Sequence, residues 1–299
     1  MLGHWQKTLK QPIGCTGVGL HTGRKVRMEL QPADAGSGIW FRRVDLLGRP
    51  LLAARWDNVR ESPLCTSLTD GGLVGVMTIE HLMAALAGIG LDNAVVELDG
   101  PEVPAMDGSA APFVFLAECA GLEEQAAARQ YIEVLKPVRV SDADARATLT
   151  PSDGFSIGFD IEFRASAIGR QRAYFDAASE TFKDALAGAR TFGLIEDVEG
   201  MRSRGLALGG SLDNAVVVAG DQVLNAGGLR YRDEFVRHKM LDTLGDLALA
   251  GAPILGHFHG SRSGHALNNR LLRALFADNR AWRLVDGVAA EPGELVANA

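Results

Sequence analysis

The sequence LDNAVVEL at residues 91–98 returns as LDNAVVVA at residues 212–219. Both copies are rich in valine, which is typical of a strand. In each half of the chain, strand-like segments come first and helical segments follow, which favours an α+β class over a doubly wound sheet. The repeated segment therefore predicts two similar α+β domains, each a β-sheet packed against helices.

Strand-like alternation is clearest in the first 60 residues, in RKVRMELQPA at 24–33 and SGIWFRRVDL at 37–46. The polar segment EEQAAARQ at 123–130 lacks this alternation, and we interpret it as the junction between the domains. Strand patterns return directly after it. The sequence thus predicts a first domain at residues 1–126 and a second at 127–299, with an insertion near 193–220.

Helical periodicity is clearest from Thr78 to Gly88, where apolar residues recur at i, i+3, i+4 and i+7. Thr78 is a suitable N-cap for this helix, and glycines follow its end. Further helices are predicted at about residues 110–120, 233–250 and 266–276.

The composition is that of an ordinary globular protein, with 47% hydrophobic and 22% charged residues in a chain of 299. A formal net charge of -7 argues against nucleic-acid binding, which requires a basic face. The three cysteines are widely spaced and favour a reducing compartment. The sequence contains no apolar run typical of a signal peptide or a transmembrane segment. We therefore expect a soluble, cytoplasmic, monomeric protein.

The segment RHKMLDTLGD at 237–246 is the strongest local signal for chemistry. His238 and Asp242 are four residues apart on a predicted helix, so both side chains lie on one face, one turn apart. Imidazole and carboxylate are both zinc ligands. Asp246 is one further turn along. The alternative is a solvated face of an amphipathic helix.

The segment TIEH at 78–81 places Glu80 and His81 in the first turn of a helix. Adjacent helical residues point about 100° apart, so one could bind a metal while the other reaches a water molecule beside it. Alternatively, Glu80 only complements the positive end of the helix dipole.

Weaker candidates complete the set. His265 lies where a loop enters a helix, and Thr191 lies in the glycine-flanked segment GARTFG, where its hydroxyl could face an oxyanion. His257 and His259 alternate as on one face of a strand, but no third metal ligand is near them in sequence, and we interpret them as ordinary strand residues. Cys65 is interpreted as a buried thiol rather than a zinc ligand.

Taken together, several segments resemble one family, the UDP-3-O-acyl-N-acetylglucosamine deacetylases of lipid A biosynthesis. The resemblance runs in order from about residue 16 to about residue 275 and rests on GVGLHTG, TIEHLMAALAG, LDNAVVEL, MDGSAAPFV, ARTFG, SRGLALGGSLDNAVVV, DEFVRHKMLDTLGDL and SGHALNN. It implies two α+β domains with the active site between their helix layers. It also implies one catalytic zinc ion, replaceable by Fe²⁺ in the cell, with His81, His238 and Asp242 as ligands.

The resemblance further implies hydrolysis of an acetamide. Glu80 is then the general base, and Thr191 stabilises the oxyanion. His265, as an imidazolium held in place by Asp246, stabilises charge and is a candidate donor of a proton to the amine. Whether Glu80 or His265 protonates the amine stays open. A zinc hydrolase for another acetylated amine, and a metal-binding scaffold without catalysis, are the alternatives.

The implied substrate is a UDP-linked, acylated amino sugar, and its parts suggest further contacts. Lys239 is expected to meet the sugar or the diphosphate. A passage for the acyl chain is expected from apolar or small residues, namely Phe192, Ile195, Val198, Ala207, Gly210 and Val217.

Overall fold

The computed structural model describes residues 4–62 and 64–287. Up to residue 121 the elements are, in chain order, β1 (Trp5–Leu9), β2 (Ile13–Val18), β3 (Lys25–Pro32), β4 (Ile39–Arg43), β5 (Leu51–Ala53), a 3₁₀ turn (Trp56–Asn58), β6 (Val59–Arg60), β7 (Ser67–Thr69), β8 (Gly75–Val76), α1 (Glu80–Gly88), β9 (Ala94–Leu98) and α2 (Ala111–Ala120).

From residue 122 onward the elements are β10 (Leu122–Ala128), β11 (Gln130–Val134), β12 (Val138–Asp142), β13 (Ala145–Thr150), β14 (Phe155–Glu162), β15 (Arg170–Asp176), α3 (Phe182–Ala185), β16 (Phe192–Leu194), α4 (Ile195–Ser203), β17 (Val216–Ala219), β18 (Gln222–Val223), α5 (Glu234–Ala248), β19 (Ile254–Ser261), α6 (His265–Ala277) and β20 (Trp282–Asp286). The predicted second domain includes residues 288–299, which lie outside the described residues.

The two halves share one topology. The first sheet has the order β2-β3-β9-β4-β5, and the second contains the same arrangement as β12-β13-β19-β14-β15. The central strand is β9 in the first sheet and β19 in the second. Each is antiparallel to one neighbour, β3 or β13, and parallel to the other, β4 or β14. Strands β11 and β20 extend the second sheet beyond β19. The predicted α+β class is therefore confirmed.

The repeated sequence that suggested this duplication does not mark equivalent positions. Its first copy forms β9, in the middle of the first sheet, but its second copy forms β17, in a small sheet with β16 and β18. The strand equivalent to β9 is β19. What the copies share is limited: Asn93 and Asn214 are both buried, and the side-chain oxygen of each accepts from a loop amide, that of Gly38 and that of Ser211 respectively. The interpretation of the repeat as a domain repeat was wrong, although the duplication exists.

The segment predicted to be a junction without β-structure is also a strand. Residues 122–128 form β10, which pairs with β1 from the other end of this half of the chain. A two-stranded ribbon that is largely open to solvent does not require apolar residues at alternate positions, so the alternation is missing from its sequence. The boundary at 126/127 falls inside this strand and stays a prediction.

Helices from the two halves pack directly on each other. α5 lies on β14 and β15 on one side and contacts α1 on the other. The backbones approach closely at Gly245, where a Cβ atom would lie 2.0 Å from the carbonyl oxygen of Glu80. Only glycine permits this approach. Since α1 is covered on both sides, all residues from Glu80 to Leu86 are buried, rather than one stripe.

Two small units flank this helix pair. The β6–β8 unit, with β6, β7 and β8, lies between β5 and α1 in the chain, and the β16–β18 unit, with β16, α4, β17 and β18, lies between β15 and α5. Among the described residues, no helix is long and apolar enough to cross a bilayer.

Candidate active site

Three side chains meet where α1 faces α5. Nε2 of His81 lies 3.5 Å from Oδ1 of Asp242, and Nε2 of His238 lies 3.3 Å from the same oxygen. One potential ligand atom from each residue falls within 4.8 Å of the others, and all three residues are buried. The helical spacing of His238 and Asp242 supplies two of these groups, and the contact between helices supplies the third.

The chemistry of this cluster fits a metal ion. The carbonyl oxygen of Ala189 can only accept, so Nδ1 of His238 carries the proton in that 3.1 Å hydrogen bond and Nε2 presents a lone pair to the cluster. Burial lowers the pKa of His238 to about 4, which keeps the imidazole neutral. Among the described residues, Asp242 Oδ1 is buried with no hydrogen-bond partner. Lone pairs facing one another without a donor are costly, and a cation resolves that cost.

Glu80 lies at the start of α1, next in sequence to His81. Its carboxylate accepts a 2.9 Å hydrogen bond from the backbone amide of Thr66 in the β6–β8 unit. Burial raises the pKa of Glu80 above its ordinary value. A buried carboxylate with a raised pKa is suited to accept and return a proton near neutral pH.

Thr78 was expected to cap this helix, but that prediction was wrong. The hydroxyl of Thr78 donates to Glu102 at 2.9 Å, and the residue has a φ of 57°. The residue before the helix is Ile79, which offers no side-chain cap. The carboxylate of Glu80, near the positive end of the helix, is the compensating charge in the first turn.

A second network starts at His265, the first residue of α6. Its Nδ1 lies 3.0 and 3.2 Å from the two carboxylate oxygens of Asp246. Asp246 also accepts from the hydroxyl of Thr66 and, at 2.9 Å, from the side-chain amide of Asn268. On the other side of the ring, Nε2 of His265 lies 3.9 Å from Oδ2 of Asp242, which links this network to the three-residue cluster of His81, His238 and Asp242.

His265 is positioned to carry a proton. Burial disfavours the charged imidazole, but the neighbouring carboxylate of Asp246 outweighs burial and raises the pKa of His265 to about 9. The site therefore holds two proton-carrying groups: the carboxyl of Glu80, whose pKa is raised by burial, and the imidazole of His265, which the Asp246 carboxylate keeps protonated. Such a pair is typical of general acid–base catalysis.

The other residues predicted for chemistry lie around this centre. Lys239 donates at 2.6 Å to Oδ2 of Asp242, whereas His81 and His238 approach Oδ1, so the ammonium compensates the charge of the carboxylate at its other oxygen. Thr191 lies at the start of the β16–β18 unit, where its amide donates to Gly108 at 2.8 Å and its carbonyl accepts from Val216 at 2.7 Å. It is two residues from Ala189, which holds His238.

The six residues predicted for an acyl passage all fall between residues 192 and 217. The centre of the Phe192 ring lies 6.1 Å from the centre of the His238 ring, so Phe192 borders the three-residue cluster directly. Ile195 is exposed, and Ala207 adopts a φ of 52° in the loop after α4. By position, four belong to β16, α4 and β17, and two to that loop: Phe192, Ile195, Val198 and Val217, then Ala207 and Gly210.

The sequence analysis did not predict the residues that hydrogen-bond to Glu80 and Asp246 and hold them in place. Thr66 touches both Glu80 and Asp246, yet it lies in a segment without any recognisable pattern. Asn268 had a usable signal, because it follows His265 by three residues on a helix and so lies on the same face. Cys65 is a buried free thiol, as predicted, and is not part of the three-residue cluster.

Comparison with known proteins identifies the family. The family model described as LpxC, UDP-3-O-acyl N-acetylglycosamine deacetylase, matches residues 6–277. The chain belongs to this family. The match covers both α+β halves, so the resemblance inferred from the motifs is confirmed. The three-residue cluster and the His265 network both lie within the matched residues.

Individual relatives agree with the LpxC assignment. The UDP-3-O-acyl-N-acetylglucosamine deacetylase of Idiomarina loihiensis is 52% identical over 282 residues, which cover 94% of this chain and 92% of the relative. Proteins of the same name are 51% identical in Acidithiobacillus ferrooxidans and 49% in Shewanella frigidimarina, each over 283 residues and 94% of this chain, and over 93% and 92% of the relatives. The LpxC similarity therefore extends over nearly the whole of each protein.

Proposed function

We propose that this chain hydrolyses the acetamide of UDP-3-O-acyl-N-acetylglucosamine, releasing acetate and UDP-3-O-acyl-glucosamine, the committed step of lipid A biosynthesis. Membership of the family supports the reaction. The observation that carries the chemistry is that both proton-carrying groups adjoin one buried cluster of His81, His238 and Asp242. Glu80 is buried next to His81 in the first turn of α1, and Nε2 of His265 lies 3.9 Å from Asp242. A binding scaffold without catalysis would have no use for these two proton-carrying groups.

We propose that His81, His238 and Asp242 hold a single zinc ion, which Fe²⁺ could replace with the same ligands. Two neutral imidazoles and one carboxylate are a ligand set of catalytic zinc sites, in which one further position stays open. When bound, such an ion supplies Lewis-acid chemistry: it acidifies water and polarises a carbonyl oxygen.

In the proposed reaction, the oxygen of the water molecule bonds to the acetyl carbon. Glu80 accepts a proton from this water as the bond forms. The hydroxyl of Thr191 donates to the oxyanion that develops on the former carbonyl oxygen. The C–N bond then breaks, and the nitrogen leaves as an amine after it receives a proton. His265 is charged and oriented by Asp246, so it stabilises the developing negative charge and is well placed to give that proton.

The substrate's other parts would meet the rim of the site. Lys239 is partly exposed and offers a positive charge to the sugar or the diphosphate. The apolar residues of the β16–β18 unit, beginning with Phe192, would contact the acyl chain. The predicted monomeric state and cytoplasmic location stay predictions.

The proposal is tested by acetate release from zinc-loaded protein. We expect release from UDP-3-O-acyl-N-acetylglucosamine and none from simple N-acetylglucosamine. Glu80→Gln should lower kcat by about 10²–10⁴-fold, the usual effect of losing a positioned acid or base. Glu97→Gln, which alters an ion pair with Arg42 on the first sheet, is the matched control and should retain activity.

The outcomes separate the alternatives. Release from simple acetamides at a comparable rate would favour a hydrolase for another acetylated amine. No release from any acetamide would favour a metal-binding scaffold. Activity of Glu80→Gln within tenfold of the parent would remove Glu80 from the mechanism.

A further inference from the structure

A pair of histidines lies on the second sheet, facing away from the helices. β19 places His257 and His259 on one face, while Phe258 between them points into the core and is fully buried. The neighbouring strand β14 places Ser156 opposite His257, and Gly158 opposite His259. The pair is therefore separated from the active site by the sheet and its core.

Among the described residues, each imidazole has one polar partner, bonded through one nitrogen. Nδ1 of His257 lies 2.9 Å from the hydroxyl of Ser156, and Nε2 of His259 lies 3.1 Å from Oδ2 of Asp160. The carboxylate can only accept from a ring N–H, so the other nitrogen of His259, Nδ1, presents a lone pair when the ring is neutral. Such an outer hydrogen bond to a carboxylate or hydroxyl is how proteins orient metal-binding imidazoles.

The two remaining nitrogens are turned towards the same gap, above Gly158. A Cβ atom at this position would lie 2.9 Å from Nδ1 of His259 and 3.7 Å from Nε2 of His257. Both nitrogens therefore lie beside Gly158, where any larger residue would crowd them. When Nδ1 of His257 donates to the Ser156 hydroxyl, Nε2 of His257 presents a lone pair on this side as well. The ring centroids are 6.4 Å apart. The rings are therefore wider apart than two imidazoles bonded to one tetrahedral ion at about 2.0–2.1 Å each, and side-chain rotation has to bring them closer.

We propose that His257 and His259 form a second, surface metal site, which binds a divalent ion of the first transition row that prefers imidazole, such as Zn²⁺, Ni²⁺ or Cu²⁺. Imidazole selects these ions over Mg²⁺ and Ca²⁺, which prefer oxygen. Burial of His257 lowers the pKa of its imidazole and favours the neutral, binding form. With two protein ligands, the other coordination positions face solvent.

The test is retention of untagged, zinc-loaded protein on immobilised Ni²⁺, followed by elution with imidazole. The sequence has seven histidines. His21, His81 and His238 are buried, and His265 is nearly so. Only His4, His257 and His259 are accessible enough to reach the resin. We expect clear retention of the parent, and loss of most of it in His257→Gln.

The variants give the proposal a specific signature. If both imidazoles bind one ion, His257→Gln and His259→Gln should each elute as early as the double variant, whereas His4→Gln should elute with the parent. Thermal midpoints close to that of the parent would show that the variants fold. Equal stepwise losses from the two single variants would mean independent surface imidazoles and would overturn the proposal. Loss of retention in His4→Gln, or parent-like retention of the double variant, would overturn it as well.

Discussion

Nδ1 of His265 lies 3.0 Å from Oδ2 of Asp246, and the two residues belong to different helices, α6 and α5. Asp246 in turn is held by Thr66 and Asn268, so the carboxylate is fixed by three elements of the chain. This contact determines the charge state of His265, because it outweighs the effect of burial on the imidazole.

Asp246→Asn should move the alkaline limb of the pH–rate profile to lower pH. With Asp246 present, the pKa of His265 is about 9, so the imidazolium is kept below that pH and lost above it. The amide cannot stabilise the imidazolium, and burial then lowers the pKa of His265. The measurement is kcat across about pH 6–10, a range that includes the parent's expected limb at about pH 9 and the lower pH to which it should move. Asp233→Asn removes an exposed carboxylate beside α5 that pairs with Arg237 and should leave the limb in place. An unchanged limb in Asp246→Asn would show that His265 does not set it.

The same contact has a sign for stability. The raised pKa of His265 means that the interaction contributes fully below the ordinary pKa of 6.5 and is lost as the pH rises through about 9. In chemical denaturation of the metal-free protein, the free energy of unfolding of the parent should therefore fall more steeply over this interval than that of Asp246→Asn. Parallel curves would contradict the assignment.

Gly245→Ala should destabilise the protein and lower its activity together. A Cβ atom there would lie 2.0 Å from the carbonyl oxygen of Glu80 and 3.1 Å from the amide of Ala84, both rigid backbone atoms. Relief requires α1 and α5 to separate, with a cost of about 1–3 kcal/mol or more, and Glu80 moves with α1. Gly200→Ala is the control: the site is an open position of α4, where alanine should stabilise by about 0.5–1 kcal/mol. Thermal midpoints that rise in both variants would contradict the close approach.

Removing metal should lower the thermal midpoint as well as the activity. The lone pairs around Oδ1 of Asp242 are then buried without a partner, whereas a bound ion stabilises the folded state by mass action, by about 2.7 kcal/mol at a hundredfold excess over Kd. Dialysis against a chelator, followed by Zn²⁺ addition, should lower and then restore the midpoint. His238→Ala should abolish this response, and His4→Ala should preserve it. A response that survives in His238→Ala would place the stabilising ion elsewhere.

Glu234→Gln should weaken the protein most above pH 5 and reduce its sensitivity to acid. Glu234 is fully buried, and its carboxylate accepts from the Arg190 side chain at 2.8 Å and from the Arg230 amide at 2.6 Å. Burial favours the neutral acid, but these hydrogen bonds outweigh it and lower the pKa of Glu234. The contribution is therefore present above the ordinary value of about 4.5 and is lost as the pH falls through the lowered pKa. Breaking a buried ion pair typically costs about 3–5 kcal/mol.

The readout for Glu234→Gln is the free energy of unfolding from urea titrations between about pH 3 and 7, a range that includes the ordinary carboxyl pKa of about 4.5 and the acid side below it. Glu118→Gln, which alters an exposed pair with Lys183, should change little. If the two variants lose stability equally, the buried pair has no special role.

Two parts of the site were readable from sequence because they depend on local geometry. A helical repeat fixes His238 and Asp242 on one face wherever α5 lies, and the apolar pattern from residue 79 predicts α1 with its polar start at Glu80. Those patterns alone did not assign a metal. The order of many motifs, from GVGLHTG to SGHALNN, joined the segments through resemblance to a family, and the comparisons confirmed that family.

The errors have the same physical origin. The two LDNAVV segments share a buried asparagine whose side-chain oxygen accepts from a loop amide, and this shared requirement says nothing about which sheet the following strand joins. The polar β10 was missed because its partner, β1, is more than 110 residues away in sequence. Pairing of this kind depends on the partner's position in space.

The sequence by itself determined the α+β class, the helices that carry the catalytic groups, and the one-turn spacing of His238 and Asp242. Only the tertiary structure decided that His81 meets them, that Thr66 holds both Glu80 and Asp246, and that Gly245 lets α1 approach α5. Periodicity records which face of an element is buried, since burial acts on each residue. It does not record which distant element covers that face, because this depends on packing between segments that the local pattern does not encode.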